Sequence, residues 1–211
     1  MSSMDEAFHI PYVAYVGLTY SCNCYCTHCY ARGRHNPNRQ FLKQTDYYHL
    51  LKQLAGMGTM SVTYSHGETL LYPGCYEVFQ YANQLGLSQV LITNGILLNN
   101  VTIARLKECG IQTLLISMDS IRETDHDANR GIPGCFKAVL SAVKASQSIS
   151  GLSKGLAVTV AQRNLDQIEE IIQFALEQHL DFISLLSERQ NGDLAPFDVK
   201  LLISTIKAYR K

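Results

Sequence analysis

An α/β fold, a partial (β/α)6 barrel with a curved parallel sheet, is the architecture that this 211-residue sequence predicts. Three observations carry it. Short β-branched runs alternate with longer stretches of helical period, the pattern of βα units around a parallel sheet. Six such units can be counted, spaced at roughly the 30 residues of a βαβ unit. The polar residues with the most chemistry follow the strand runs directly, so they gather on the rim where α/β folds bind their ligands. Six units are too few to close an eight-stranded barrel, which leaves an open one.

The first strand is expected at 13–18 and the others at 60–65, 89–92, 113–117, 156–160 and 182–186. Between the first two, Tyr47, Leu50, Leu51 and Leu54 fall at i, i+3, i+4 and i+7, one face of a helix that Thr45 can cap. Helical patterns over 76–85, 101–107 and 136–143 follow the next three strands. After the fifth, "NLDQIEEIIQFALEQ" offers Asn164 as a cap. Leu165, Ile168, Ile171, Ile172 and Ala175 then form a buried stripe, with Glu169 and Glu170 toward water. A helix at 197–209 completes the sixth unit. With no Gly/Ser linker, repeat or low-complexity run, 1–211 reads as a single domain in which 1–12 is an N-terminal extension.

The composition narrows the function. At 46% hydrophobic and 17% charged the chain can bury a substantial core. Eighteen basic residues balance eighteen acidic ones, so the overall charge attracts neither nucleic acid nor an anionic membrane. The N-terminal stretch "MSSMDEAFHIPYVAYVG" lacks the basic and apolar regions of a secretory signal, and no run is apolar long enough to span a bilayer. A cytoplasmic protein is expected.

The stretch "TYSCNCYCTHCY" places four of the seven cysteines between Cys22 and Cys29, too tightly for a conventional disulfide framework. Thiolates on a metal centre fit better. Cys22, Cys26 and Cys29 are spaced C-x3-C-x2-C. Three thiolates can each take one iron of a cubane [4Fe-4S] cluster and leave the remaining iron open to polarise a small molecule. The alternative from the residues alone is structural zinc on these three with Cys24 or His28, although no second ligand-bearing turn is present. Cys75, Cys109 and Cys135 are expected to be buried or idle thiols.

The loop and its position directly after the first strand resemble the radical S-adenosylmethionine superfamily. The resemblance extends over most of the chain: "SHGETLLYP" after the second strand, "TNG" after the third, "SMDS" after the fourth, then "DANRGIPGCFKAVLSAV" and "QRNLDQIEEII". It implies a radical S-adenosylmethionine enzyme, an oxidoreductase or maturase-like catalyst with a [4Fe-4S] cluster and S-adenosylmethionine as cofactors. Reductive cleavage of the sulfonium would give a 5′-deoxyadenosyl radical that abstracts hydrogen from a substrate, a peptide or a tetrapyrrole-type precursor. The implied partners are an electron donor such as flavodoxin or ferredoxin and that substrate.

By the same resemblance Cys22, Cys26 and Cys29 are the cluster ligands. His28 and Tyr30 stand where relatives place groups beside the cofactor. Gly67 and Glu68 match the strand end that receives the amino group of S-adenosylmethionine. Ser117 and Arg130 match positions at its methionyl end, Arg130 suiting the carboxylate, and Asn94 and Asp119 are rim residues near the nucleoside. The chain departs from the pattern where His66 replaces a glycine and Thr69 a proline, and Cys24 is unusual. Many relatives continue into a cysteine-rich auxiliary domain, and no cysteine follows Cys135 here. A catalytically impaired or shortened binding protein on the same fold is the alternative.

Overall fold

The computed structural model describes residues 11–29, 31, 42–190, 193–194 and 196–208. Six parallel strands pair strictly in chain order, β1 (Val13–Val16), β2 (Ser61–Tyr64), β3 (Ser88–Thr93), β4 (Thr113–Ser117), β5 (Ser153–Val160) and β6 (Phe182–Ser187), and the sheet curls into a half-barrel. The helices lie between them in chain order: α1 (Gln44–Gly56), α2 (Cys75–Gln84), α3 (Asn100–Glu108), α4 (Glu123–Arg130), α5 (Cys135–Gln147), α6 (Ile168–Glu177) and α7 (Val199–Ala208). A two-stranded hairpin, β7 (Arg189–Gln190) with β8 (Asp193–Leu194), follows β6 and had no counterpart in the sequence reading.

Strand alternation sorts the residues between two faces. Val62, Tyr64, Leu91, Leu114, Ile116, Leu156, Val158 and Val160 point outward into the core beneath the helices. Tyr64 packs its ring 4.7 Å from that of Phe79 on α2. Their alternates Tyr15, Ile92, Ser117, Ala157, Thr159 and Leu186 line the hollow of the half-barrel. The register Ser117↔Ala157 between β4 and β5 sets two small side chains side by side there, which leaves room for a ligand.

The helix starts differ from those expected. α1 opens at Gln44 rather than being capped by Thr45: the Asp46 carboxylate reaches back to accept from the Lys43 amide at 3.0 Å, one half of a capping box that needs no hydroxyl. Asn164 lies inside a 3-10 turn, Gln162–Gln167, that precedes α6. Its side chain accepts from the Ala161 amide at 2.9 Å and donates to the Asp119 and Thr159 carbonyls, each at 2.9 Å, so it ties β4 to β5. The added helix α4 has no apolar stripe. It is held by Glu123 and Asp125 in its first turn and by Gly131, at φ 67°, as a left-handed C-terminal cap.

Candidate active site

The cysteine loop leaves β1 and is clamped from two sides. On one side, Gly67 follows β2 at φ +56°, where a Cβ would come within 2.5 Å of the Thr19 and Ser21 carbonyl oxygens. Only glycine allows that approach. The Glu68 amide then donates to the Ser21 carbonyl at 2.7 Å. On the other side the loop pairs with the end of α4: the Tyr25 amide donates to the Arg130 carbonyl and the Thr27 amide to the Asn129 carbonyl, each at 2.8 Å. The Thr27 hydroxyl also donates to Asn129 Oδ1, and His28 Nδ1 stands 3.3 Å from the same oxygen.

Within this clamp Cys22, Cys26 and Cys29 border one cavity of about 390 Å³, together with His28, His66, Gly67, Asn94, Ser117 and Arg130. The electrostatics favour thiolate at Cys26. Its thiol is lowered to about 5, first by hydrogen bonding from Cys24, then by the positive charges of Arg130 and His28, against the opposing effect of burial. Arg130 Nη1 lies 3.7 Å from the Cys26 sulfur. Cys22 is lowered as well, chiefly by Cys24 and by the Cys24 amide that donates to its sulfur at 3.4 Å. Burial raises Cys29.

This donor set fits an iron–sulfur cluster better than zinc. A single zinc needs its ligands converging within about 2.0–2.3 Å of one point. Among the described residues no group of three or more His, Cys, Asp or Glu side chains is gathered so as to hold one metal ion. A cubane spreads three thiolates over three irons, and three sulfurs around one cavity with cationic and N–H groups beside them suit that arrangement.

Two of the expected cofactor residues are placed differently. The Glu68 carboxylate is fully buried and does not border the cavity. It accepts from the Thr93 hydroxyl at 2.9 and 3.0 Å, the Asn94 amide at 2.9 Å and the Leu70 amide at 3.3 Å. Burial pushes its pKa up against these donors. Glu68 therefore braces the ends of β2 and β3, and the cavity meets Gly67 instead. Asp119, just past the end of β4, is likewise buried and borders a neighbouring pocket rather than the cysteine cavity: it pairs with Arg130 Nη2 at 2.7 Å and accepts from the Thr159 amide at 2.8 Å and Asn129 Nδ2 at 3.0 Å. Burial works to raise its pKa, but the charges of Arg130 and His28 and the Thr159 amide outweigh it and hold the carboxyl below its ordinary value.

Asn94 borders the cavity, and its amide donates to Asn23 Oδ1 at 2.6 Å, with the Cys22 sulfur 3.8 Å away. It thus orients the cysteine loop. His66 finds its room by taking the left-handed region, φ 78°, over Gly17, with its Nδ1 3.1 Å from the Ser65 hydroxyl. A non-glycine residue there stores about 1–3 kcal/mol of strain. Thr69, in the proline's place, is buried at the start of a 3-10 turn whose cap is Glu68. Tyr30 lies outside the described residues.

The sequence reading missed Asn129, Thr27 and Gly131. A Cβ on Gly131 would stand 2.6 Å from the Tyr25 carbonyl oxygen, so this glycine is also needed for the loop to dock. Thr27 and Asn129 are 102 residues apart, and no local spacing signals their contact.

Residues 16–175 match the family model described as the Radical SAM superfamily. The chain is 31% identical over 160 residues to an AdoMet-dependent heme synthase of Methanosarcina barkeri (strain Fusaro / DSM 804), covering 76% of this chain and 46% of that protein. It is 31% identical over 186 residues to an Fe-coproporphyrin III synthase of the same organism, covering 84% and 46%. The chain thus spans about half the length of these curated relatives. Among solved structures, Streptococcus suis SuiB bound to S-adenosylmethionine superposes with a TM-score of 0.79 at 18% identity, covering 95% of this chain and 48% of that one. Native anSMEcpe with bound AdoMet gives 0.73 at 18% identity, covering 93% and 60%. At such identities the likeness speaks for the fold.

Proposed function

The chain belongs to the radical SAM superfamily, and from that premise we propose that its cavity holds a [4Fe-4S] cluster and S-adenosylmethionine to abstract hydrogen from an iron tetrapyrrole. One observation carries the cofactor part: the three sulfurs of a C-x3-C-x2-C loop border a single cavity beside a buried arginine. When bound, the cofactors supply an electron that splits the sulfonium and a 5′-deoxyadenosyl radical, the hydrogen-abstracting species.

The chain's own residues bind and orient. Cys22, Cys26 and Cys29 would hold the cluster. The open Gly67 backbone would admit the amino group, while Ser117 and the guanidinium of Arg130 would meet the methionyl end, the latter already fixed by Asp119. His28 would present a flat ring to the nucleoside. Tyr15, Ile92, Ala157 and Leu186 supply apolar wall that limits water around a reactive radical.

The tetrapyrrole reading rests on the sequence relatives, whose names specify heme and Fe-coproporphyrin III. A peptide is the second reading, since SuiB is also solved bound to its precursor peptide SuiA. A flavodoxin or ferredoxin would deliver the electron in either case.

The test is anaerobic reconstitution, followed by iron and sulfide analysis and by measurement of 5′-deoxyadenosine after adding S-adenosylmethionine and dithionite. About four irons and four sulfides per chain are expected, lost in Cys26→Ala, with deoxyadenosine formed only by the loaded wild type. A cluster without cleavage would make the chain a binding protein, and zinc in place of iron would overturn the cofactor assignment.

A further inference from the structure

Behind the cluster loop lies a second group of sulfurs. Cys24 and Cys135, the latter the first residue of α5, are buried together with Cys26 in a small cluster apart from the main core. The Cys24 thiol packs with Cys135 and Cys26 in that cluster, close enough to the Cys135, Cys22 and Cys26 sulfurs to interact with each. Cys24 also borders the cavity, whereas Cys135 does not. Beside Cys135 stands His126 of α4, wholly buried, with neither ring nitrogen in an aligned hydrogen bond among the described residues. A buried imidazole left in that state calls for a partner.

These sulfurs pose a problem for the cofactor site. Cys22, Cys26 and Cys29 are committed to iron only while a cluster is present. Once it is lost, Cys24, in the same short loop, becomes a competing partner for two of them. We infer that Cys24 and Cys135 form an oxidisable thiol pair that closes into a disulfide when the cluster is lost to an oxidant, keeping Cys22, Cys26 and Cys29 reduced for reassembly. This rests on the reading of those three cysteines as cluster ligands.

The oxidant is a peroxide, small enough to enter the cavity that Cys24 borders. The Cys24 sulfur attacks one peroxide oxygen as its thiol proton passes by way of the neighbouring Cys135 sulfur to the departing hydroxide; the O–O bond breaks, one water leaves and the sulfur becomes a sulfenic acid. The Cys135 sulfur then attacks it, giving its proton to His126; the S–S bond forms, the S–O bond breaks and the departing hydroxide takes a proton to leave as the second water. Two thiols lose two electrons in all, and one peroxide becomes two waters.

The experiment starts from the anaerobically reconstituted full chain, treated with hydrogen peroxide until the cluster's absorbance is gone. It is quenched by alkylation, and its peptides are mapped without reductant. The expected product is a Cys24–Cys135 linked peptide, two hydrogens lighter than the separate peptides, with Cys22, Cys26 and Cys29 alkylated. A second portion, freed of peroxide and given iron and sulfide without a thiol reductant, is expected to regain its absorbance. Cys135→Ser is expected to lose that recovery and to show Cys24 linked to Cys22 or Cys26. Cys24→Ala is expected to keep it, since the competing thiol is gone, and serves as the control for damage to the loop. Linkage of Cys22, Cys26 or Cys29 in the treated wild type, or equal recovery by Cys135→Ser, would overturn the inference. If the wild type takes up no four-iron cluster at the outset, the cofactor reading fails, and peptide mapping of the peroxide-treated chain still decides the thiol pair.

Discussion

Arg130→Met is expected to cost about 3–5 kcal/mol of folding stability at neutral pH, because it strands the buried Asp119 carboxylate without its counter-charge. Asp119 is almost wholly inaccessible and its ion pair with Arg130 is 2.7 Å long. The remaining hydrogen-bond donors, the Thr159 amide and the Asn129 side chain, are neutral, and the next charge the carboxylate feels is the smaller one of His28, whose Nε2 lies 3.8 Å away. Urea unfolding measures the loss. Adding Asp119→Asn is expected to recover most of it, since the uncompensated charge is then gone while an acceptor oxygen stays.

The pH dependence has a definite sign. With Arg130 present, the Asp119 carboxyl titrates below its ordinary value, so the pair's contribution is complete at neutral pH and is lost only as pH falls through that depressed pKa. In Arg130→Met the main opposing charge is absent and burial raises the same carboxyl. The variant then regains stability as pH falls and the carboxyl protonates. The gap between wild type and variant should therefore narrow between pH 7 and pH 5. An equal gap at both, with no recovery in the double variant, would show that the lost arginine acts through packing alone.

Glu68 shows the other resolution of a buried carboxylate. Its donors are a hydroxyl and backbone amides, with the Arg130 charge only a minor influence, and burial wins, so its pKa is raised. One carboxylate is held charged by its partner and the other is pushed toward the neutral form. The charged one sits under the arginine assigned to the methionyl carboxylate, where it fixes the guanidinium in place.

The same pair shows what was legible in the sequence. The six strands were, because an apolar, β-branched run bounded by turn residues is a local property. The gathering of Cys22, Cys26 and Cys29 around one cavity was legible for the same reason: it follows from a fixed spacing within one short loop. The direction of Glu68 was not. It depends on two consecutive residues at positive φ, His66 at 78° and Gly67 at 56°, and nothing in "SHGET" announces a left-handed histidine. Nor was α4, whose sequence "ETDHDANR" has no apolar stripe and is stabilised by its ends. The buried Arg130 at its last position could be assigned only through family resemblance, and its partners Asp119 and Cys26 are distant in sequence.

Gly67→Ala is expected to be severely damaging for a single added methyl, and the reason lies in what its neighbours cannot do. At φ +56° the new Cβ would stand 2.5 Å from the Thr19 and Ser21 carbonyl oxygens. The Ser21 oxygen is not free to withdraw, since it accepts from the Glu68 amide at 2.7 Å, and the turn that carries both oxygens is held by the Ser21 amide donating to the Thr19 hydroxyl at 2.9 Å. The strained backbone alone costs about 1–3 kcal/mol, and the clash adds to it by prying the cysteine loop off the end of β2. Urea unfolding should show a loss of at least about 3 kcal/mol, and reconstitution should show reduced iron uptake, since Cys22 immediately follows the displaced residues. His66→Gly, one residue earlier, is the contrasting substitution. It relieves about 1–3 kcal/mol of strain in a left-handed histidine against roughly 0.5–1 kcal/mol for the greater freedom of an unfolded glycine, so stability should be unchanged or raised, not lost. Equal behaviour of the two variants would mean that the loop is not anchored at Gly67 and that the clamp on the cluster site lies wholly at the α4 end.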